Sequence, residues 1–91
     1  MKEINILQFK NYFLDGQSSY VLRLHNKTYQ IETTTNLPFR IILVRDGYKT
    51  IISGIQRMFL DEVNHVLQVD TVNYFTGLVN SLHFYIEKIF Q

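Results

Sequence analysis

The chain has 91 residues with a formal net charge of +1, and 46% of them are hydrophobic against 19% charged. This length predicts a single domain over residues 1–91, and the apolar content excludes an intrinsically disordered chain. The sequence contains no cysteine, which excludes a disulfide framework, a thiol nucleophile and a zinc–thiolate site.

The amino-terminal part of the chain is open to two interpretations. Apolar residues within 4–14 are scattered in a way that fits a helix and a strand equally well. Residues 15–19 and 33–38 are rich in Gly, Ser, Thr, Asn and Pro, which is typical of loops. We expect these clusters to separate elements rather than domains.

Residues 20–33 are predicted to form a β-hairpin because apolar and polar residues alternate on both sides of a turn signal. With Asn26-Lys27 as the two-residue loop, Leu22 faces Ile31 on the apolar side of the hairpin. Asn tolerates the positive φ that such a loop requires, which supports this register.

A second hairpin is predicted around Asp46-Gly47, a strong signal for a two-residue turn. This turn places Ile42 opposite Ile51. Because apolar residues occupy both faces near the base of the hairpin, its strands are expected to be central in the sheet, or covered by a helix or a second subunit.

Residues 55–69 fit either an amphipathic helix or a hairpin that turns near Val63-Asn64. The content of β-branched residues in this segment favours the hairpin. Two strands are therefore expected here, with the helix as the alternative.

Residues 71–90 are predicted to form a helix, with Asp70 or Thr71 as the N-cap. The predicted fold class is therefore α+β, a small antiparallel β-sheet built from hairpins with a C-terminal amphipathic α-helix packed across one face. The helical prediction depends on apolar residues spaced three and four positions apart, namely Phe75, Leu78, Val79, Leu82, Ile86, Ile89 and Phe90.

Charge is unevenly distributed along the chain. Residues 20–57 hold six cations against two anions, whereas residues 58–91 hold one cation against four anions. No apolar run is long enough for a secretory signal or a membrane span, which predicts a cytoplasmic protein without membrane association. The high content of Ile, Asn, Lys and Tyr suits an AT-rich genome, and the size suits a phage or plasmid accessory protein.

No motif for catalysis or cofactor binding is present in the sequence. Glu62 and His65 have the spacing of two ligands on one helical face, as do His83 and Glu87, but a di-iron bundle needs that motif twice with two further glutamates. A nucleophile elbow and a glycine-rich phosphate loop are also lacking. The sequence therefore predicts a protein that is not an enzyme and has no metal or cofactor.

Binding to another protein is the predicted function. Seven Phe, six Tyr and ten Ile are a large apolar load for one small core, which predicts a homodimer. On the predicted helix, Tyr74, Phe84 and Tyr85 lie off the core stripe. They are the predicted contacts to a second copy of the chain or to a host protein.

Single-stranded nucleic acid is the alternative partner. Arg23, Arg45, Tyr48 and Lys49 lie on the predicted hairpins, where cations could follow phosphates and rings could stack on bases. A pI of about 8.0 is mild for a nucleic-acid module, which favours the protein partner.

Overall fold

The described part of the chain is folded mostly into one antiparallel sheet of eight strands. The structure, a computed structural model, describes residues 1–14, 19–33 and 38–89, apart from the side chains of Ser19 and Thr33. The elements are β1 (Lys2–Ile4), α1 (Ile6–Phe13), β2 (Ser19–Leu24), β3 (Lys27–Thr33), β4 (Ile41–Arg45), β5 (Tyr48–Ile52), β6 (Ile55–Asp61), β7 (Val66–Val72) and β8 (Val79–Ile89). The strand order across the sheet is β1-β6-β7-β8-β2-β3-β4-β5.

The predicted C-terminal helix is wrong, and the predicted α+β architecture is therefore wrong as well. Residues 71–89 form the end of β7, a hairpin loop and β8. β8 is hydrogen-bonded to β7 on one edge and to β2 on the other, so it lies inside the sheet. Gly77, in the middle of the predicted helix, has a φ of 74° and helps to close the hairpin loop.

The alternation of side chains along β8 shows why the apolar spacing of this segment did not lead to a helix. Phe84 and Ile86 are buried in the core, because every second side chain of this strand points to the same face. Phe75, which the helical stripe placed in the core, is fully exposed. The segment has apolar residues at both helical and strand spacings, and strand pairing on two edges satisfies the backbone hydrogen bonds of β8.

The β2–β3 hairpin forms with a register two residues away from the predicted one. His25 and Asn26, with φ values of 51° and 64°, form the two-residue loop, which begins one residue earlier than predicted. Leu22 therefore pairs with Tyr29 rather than with Ile31. Because the shift is an even number of residues, Leu22 still points to the core.

The β4–β5 hairpin has the predicted turn and register. Asp46 and Gly47 form the turn with φ values of 53° and 80°, and Ile42 pairs with Ile51. β5 is an edge strand, so the expectation of a central strand is wrong for β5. Ile51 is exposed because it points to the face opposite its buried neighbour Ile52.

Residues 55–69 adopt the strand alternative, since β6 and β7 pair around a loop of residues 62–65. The Asp61 carboxylate organises this loop by accepting hydrogen bonds from the backbone N–H groups of Val63 and Asn64, both at 3.1 Å. A hydrogen bond from the Asn64 side chain, together with these backbone groups, lowers the pKa of the Asp61 carboxyl. The prediction of two strands in this segment, made from its content of β-branched residues, is therefore confirmed.

Residues 4–14 contain both structures that the sequence left open, the end of β1 and then α1. The helix begins at a capping box, in which the Asn5 side chain accepts from the Gln8 N–H and the Gln8 side chain accepts from the Asn5 N–H, both at 2.8 Å. The predicted loop clusters at residues 15–19 and 33–38 lie mostly outside the described residues.

The core lies between one face of the sheet and α1. Phe9 of α1 packs edge-on against Phe39 with ring centroids 5.5 Å apart, and Tyr12 stacks on Tyr20 at 5.1 Å. Nearly every strand contributes to this cluster, so the helix and the sheet depend on each other for burial. The buried members are Ile4, Phe9, Phe13, Leu22, Phe39, Ile41, Leu43, Ile52, Met58, Leu60, Leu67, Val69, Phe84 and Ile86.

We expect Asn5→Ala to lower the free energy of unfolding by about 1 kcal/mol, because it leaves the N–H of Gln8 without its capping acceptor. Asn11→Ala is the control, since Asn11 is exposed inside the same helix and alanine has the higher helix propensity there. Urea denaturation of the two variants measures the difference. Equal destabilisation by both would contradict a capping role for Asn5.

Candidate interaction surface

The loop between β7 and β8 is held in one conformation by its own hydrogen bonds. The backbone N–H of Asn73 donates to the carbonyl of Leu78 at 2.9 Å, and the N–H of Gly77 donates to the carbonyl of Asn73 at 2.7 Å. The Asn73 side chain accepts from the N–H groups of Phe75 and Thr76 at 3.0 and 3.3 Å. Hydrogen bonds within residues 73–78 therefore organise the loop.

This hydrogen-bonded loop presents apolar side chains to solvent. Phe75 is 100% exposed, Tyr74 is 80% exposed and Leu78 is 66% exposed, and the neighbouring Val79 of β8 is also exposed. Single exposed apolar residues are common on protein surfaces, but adjacent ones at a structured loop are typical of a contact site. We call these four side chains the loop surface.

A groove of about 970 Å³ lies at the base of this loop. Its walls come from the end of β5, the first half of β6, the end of β7 and residues 38–40, and it includes Tyr74 and Phe75 of the loop surface. Gly54 allows the walls to meet, because a side-chain Cβ at this position would lie 2.5 Å from the carbonyl oxygen of Val72. The N–H of Val72 in turn donates to the carbonyl of Gly54 at 2.9 Å.

Two arginines, Arg40 and Arg57, line the groove, and the described lining residues include no Asp or Glu. Asp70 pairs with Arg57 across β6 and β7 but is not part of the lining. Its carboxylate accepts hydrogen bonds from the side chains of Gln68 and Ser81, at 2.9 and 2.7 Å. These two hydrogen bonds, and to a smaller extent the charge of Arg57, lower the pKa of Asp70.

The three residues predicted to contact a protein partner do not lie together. Tyr74 belongs to the loop surface. Tyr85 lies on the face of the sheet opposite the core, 56% exposed, with the guanidinium of Arg23 5.7 Å above its ring centroid. Phe84 is completely buried in the core, so its side chain cannot meet a partner at the surface.

The four residues predicted to contact nucleic acid do not form one continuous patch either. Arg45 and Tyr48 pair across the β4–β5 hairpin, whereas Lys49 points to the opposite face. Each of the three cationic side chains also has a carboxylate of the same chain within salt-bridge distance. The nitrogen–oxygen distances are 3.0 Å for Arg23 and Glu87, 3.2 Å for Lys49 and Glu32, and 3.9 Å for Arg45 and Asp46.

The sequence interpretation placed Phe75 in the core and did not bring Arg40 and Arg57 together at one site. A signal for the loop was present, because Asn73, Thr76 and Gly77 form a turn-like cluster between apolar segments. No local signal brings Arg40 and Arg57 into one groove, since Arg40 immediately precedes β4 and Arg57 lies on β6. Their proximity is a consequence of tertiary structure.

The candidate metal ligands are placed on two separate elements. Glu62 and His65 lie in the β6–β7 loop, whereas His83 and Glu87 lie on β8. In residues 1–14, 19–33 and 38–89, no group of three or more His, Cys, Asp or Glu side chains is arranged to hold a metal ion. Nor does any helix in those ranges have the length and apolar character needed to cross a membrane.

Comparisons of the chain with protein-family models, with curated proteins and with solved structures each found no match. Function is therefore inferred from the geometry of the chain alone.

Proposed function

We propose that the protein is a non-catalytic binding module that contacts a protein partner through the loop surface. The complete exposure of Phe75 beside Tyr74, on a loop that is closed by its own hydrogen bonds, carries this proposal. Aromatic side chains contribute much of the binding energy at protein interfaces. A loop that is already ordered loses little conformational entropy on binding, so more of the contact energy contributes to affinity.

Single-stranded nucleic acid is the less favoured partner. The cations on which that alternative depends, Arg23, Arg45 and Lys49, lie beside carboxylates of the same chain. A phosphate would have to compete with those carboxylates for each cation, which lowers the gain from every phosphate contact. The loop surface, in contrast, has four apolar side chains without a covering element among the described residues.

The test compares two tyrosines that are equally exposed on different hairpins. Tyr74 is 80% exposed on the loop surface and Tyr48 is 81% exposed at the β4–β5 turn. Immobilised wild-type protein, Tyr74→Ala, Phe75→Ala and Tyr48→Ala are incubated with host lysate, with and without nuclease. We expect Tyr74→Ala and Phe75→Ala to weaken capture of a specific protein by about 2 kcal/mol, or roughly thirtyfold, and Tyr48→Ala to have no effect.

Light scattering of the same variants shows whether the captured protein is a second copy of the chain. If it is, wild type and Tyr48→Ala are expected to form dimers, and Phe75→Ala is expected to be shifted towards monomer. Capture that is equal for all four proteins, or that disappears after nuclease treatment, would contradict the proposed function.

A further inference from the structure

The loop surface and the groove form one continuous site that has a projecting part and a recessed part. Tyr74 and Phe75 belong to both, and Phe75 is fully exposed although it lies beside the groove. Leu78 and Val79 are exposed and do not line the groove of their own chain, so part of the loop surface lies outside it. The site therefore offers an apolar projection with a recess next to it.

The walls of the groove also carry exposed apolar side chains. Ile6 at the start of α1 and Ile51 on β5 are both exposed and both line the groove. An aromatic ring that enters the groove would meet this aliphatic surface. Thirteen large apolar side chains are exposed in the described part of the chain, and six of them lie at this one site, namely Ile6, Ile51, Tyr74, Phe75, Leu78 and Val79. Such a concentration of exposed apolar groups is typical of a protein contact.

The positive charge of the groove is opposed within the chain. Arg57 pairs with Asp70 across β6 and β7. The charge of Arg57 is one of the causes that lower the pKa of this carboxyl, after its two side-chain hydrogen bonds. Arg40 also has an interaction partner. In a symmetric contact each copy meets the same charges on the other, so an unopposed cation near the axis would cause repulsion. The opposed charge of this groove reduces that repulsion.

The exposed surface of the chain is large for a monomer of this size. A compact monomer of 10.8 kDa is expected to expose about 5,500 Å². The whole chain exposes 6474 Å², an excess of about 900 Å². A standard protein interface removes about 800 Å² from each partner. The excess therefore matches the area that one copy of the chain would lose in a dimer.

We infer that the protein partner at the loop surface is a second copy of the chain, and that the loop surface of each copy packs into the groove of the other. This inference rests on the proposed function, since it uses the loop surface as the contact. A two-fold symmetric dimer needs a surface that is complementary to itself. A projection and an adjacent recess, each with exposed apolar side chains, meet this need.

Sedimentation of the full chain over a range of concentrations tests for the dimer. Wild type is expected to reach twice the chain mass of 10.8 kDa. Phe75→Ala is expected to raise the dissociation constant about thirtyfold for each of the two symmetric contacts, or about a thousandfold in all. Ile51→Ala is expected to raise it by about tenfold or more, since it removes part of the groove wall in both copies.

Two variants outside the site are the controls for these substitutions. Tyr48→Ala removes an aromatic ring from the β4–β5 turn, and Val63→Ala removes an aliphatic side chain from the β6–β7 loop. Both residues are exposed and neither lines the groove, so both variants are expected to dimerise like wild type. Thermal unfolding of each variant confirms that it is folded.

Disulfide cross-linking shows which surfaces meet, because the chain contains no cysteine of its own. Thr76 is exposed in the loop, and Ser53 is exposed in the groove lining. Thr76→Cys with an affinity tag is mixed with untagged Ser53→Cys and oxidised. We expect the mixed product to form in preference to either self-linked product. Thr28→Cys in place of Ser53→Cys is the control and is expected to give no mixed product, since Thr28 lies on β3 outside the site.

The inference is overturned if wild type is monomeric at every concentration, if Phe75→Ala dimerises like wild type, or if Ser53→Cys links mainly to itself. Its failure is distinguishable from failure of the proposed function. If wild type is monomeric and Phe75→Ala weakens capture of a different protein, the proposed function holds and the inference is wrong. If Tyr74→Ala and Phe75→Ala leave both dimerisation and capture unchanged, the proposed function itself is wrong.

Discussion

Phe84→Ala is expected to lower the free energy of unfolding by about 3–5 kcal/mol, a large part of the stability of a small domain. The side chain is completely buried in the core, on a strand that is paired on both edges. Alanine would remove the ring and leave a cavity that the surrounding strands cannot close without losing their own pairing.

Tyr85→Ala is the matched control, because it removes an aromatic ring from the next residue of the same strand. Tyr85 points to the opposite face and is 56% exposed, so we expect a loss of no more than about 1 kcal/mol, mainly from the contact with Arg23. Chemical denaturation at two protein concentrations measures both variants and separates folding from self-association. Similar losses for the two variants would contradict the alternation of side chains along β8.

Gly54→Ala is expected to destabilise the protein by about 3 kcal/mol, through two separate effects. The residue has a φ of 65°, a backbone conformation that alanine adopts at a cost. The added Cβ would also lie 2.5 Å from the carbonyl oxygen of Val72, so the link between β5 and β6 must move away from β7.

Gly47→Ala separates these two effects. Gly47 has a φ of 80°, but nothing lies within 4 Å of the position that its Cβ would occupy, so we expect a loss of about 1–2 kcal/mol from the backbone conformation alone. Urea denaturation of both variants gives the difference, which is the contribution of the close approach. If Gly47→Ala costs as much as Gly54→Ala, the contact with Val72 is not what requires glycine at position 54.

Substitution of Gly54 is expected to affect the candidate site as well as stability. Gly54 lines the groove and is hydrogen-bonded to Val72, the last residue of β7 before the loop. Displacement of the β5–β6 link is therefore expected to weaken capture of the protein partner in whatever fraction of Gly54→Ala remains folded. Gly47 lies outside the groove lining, so folded Gly47→Ala is expected to bind like wild type. Capture of the partner from host lysate by the two immobilised variants measures this.

The sequence by itself determined the features that depend on a few neighbouring residues. The turn at Asp46-Gly47 and its register follow from the preference of this dipeptide for positive φ at both positions. The strands within 55–69 follow from β-branched content. Tyr74 was identified as a surface residue for a wrong reason, since the helix that was predicted to present it does not form.

Only the tertiary structure decided the state of β8, and with it the candidate site. The apolar residues of this segment satisfy both a helical and a strand period, so periodicity alone could not choose between them. The choice depends on hydrogen bonding to β7 and to the distant β2, which a local pattern does not contain. Once β8 pairs with β7, residues 73–78 must turn back as a loop, which moves Phe75 from the predicted core to the surface. The same sheet brings Arg40 and Arg57 into one groove, because strand order rather than sequence distance sets which side chains become neighbours.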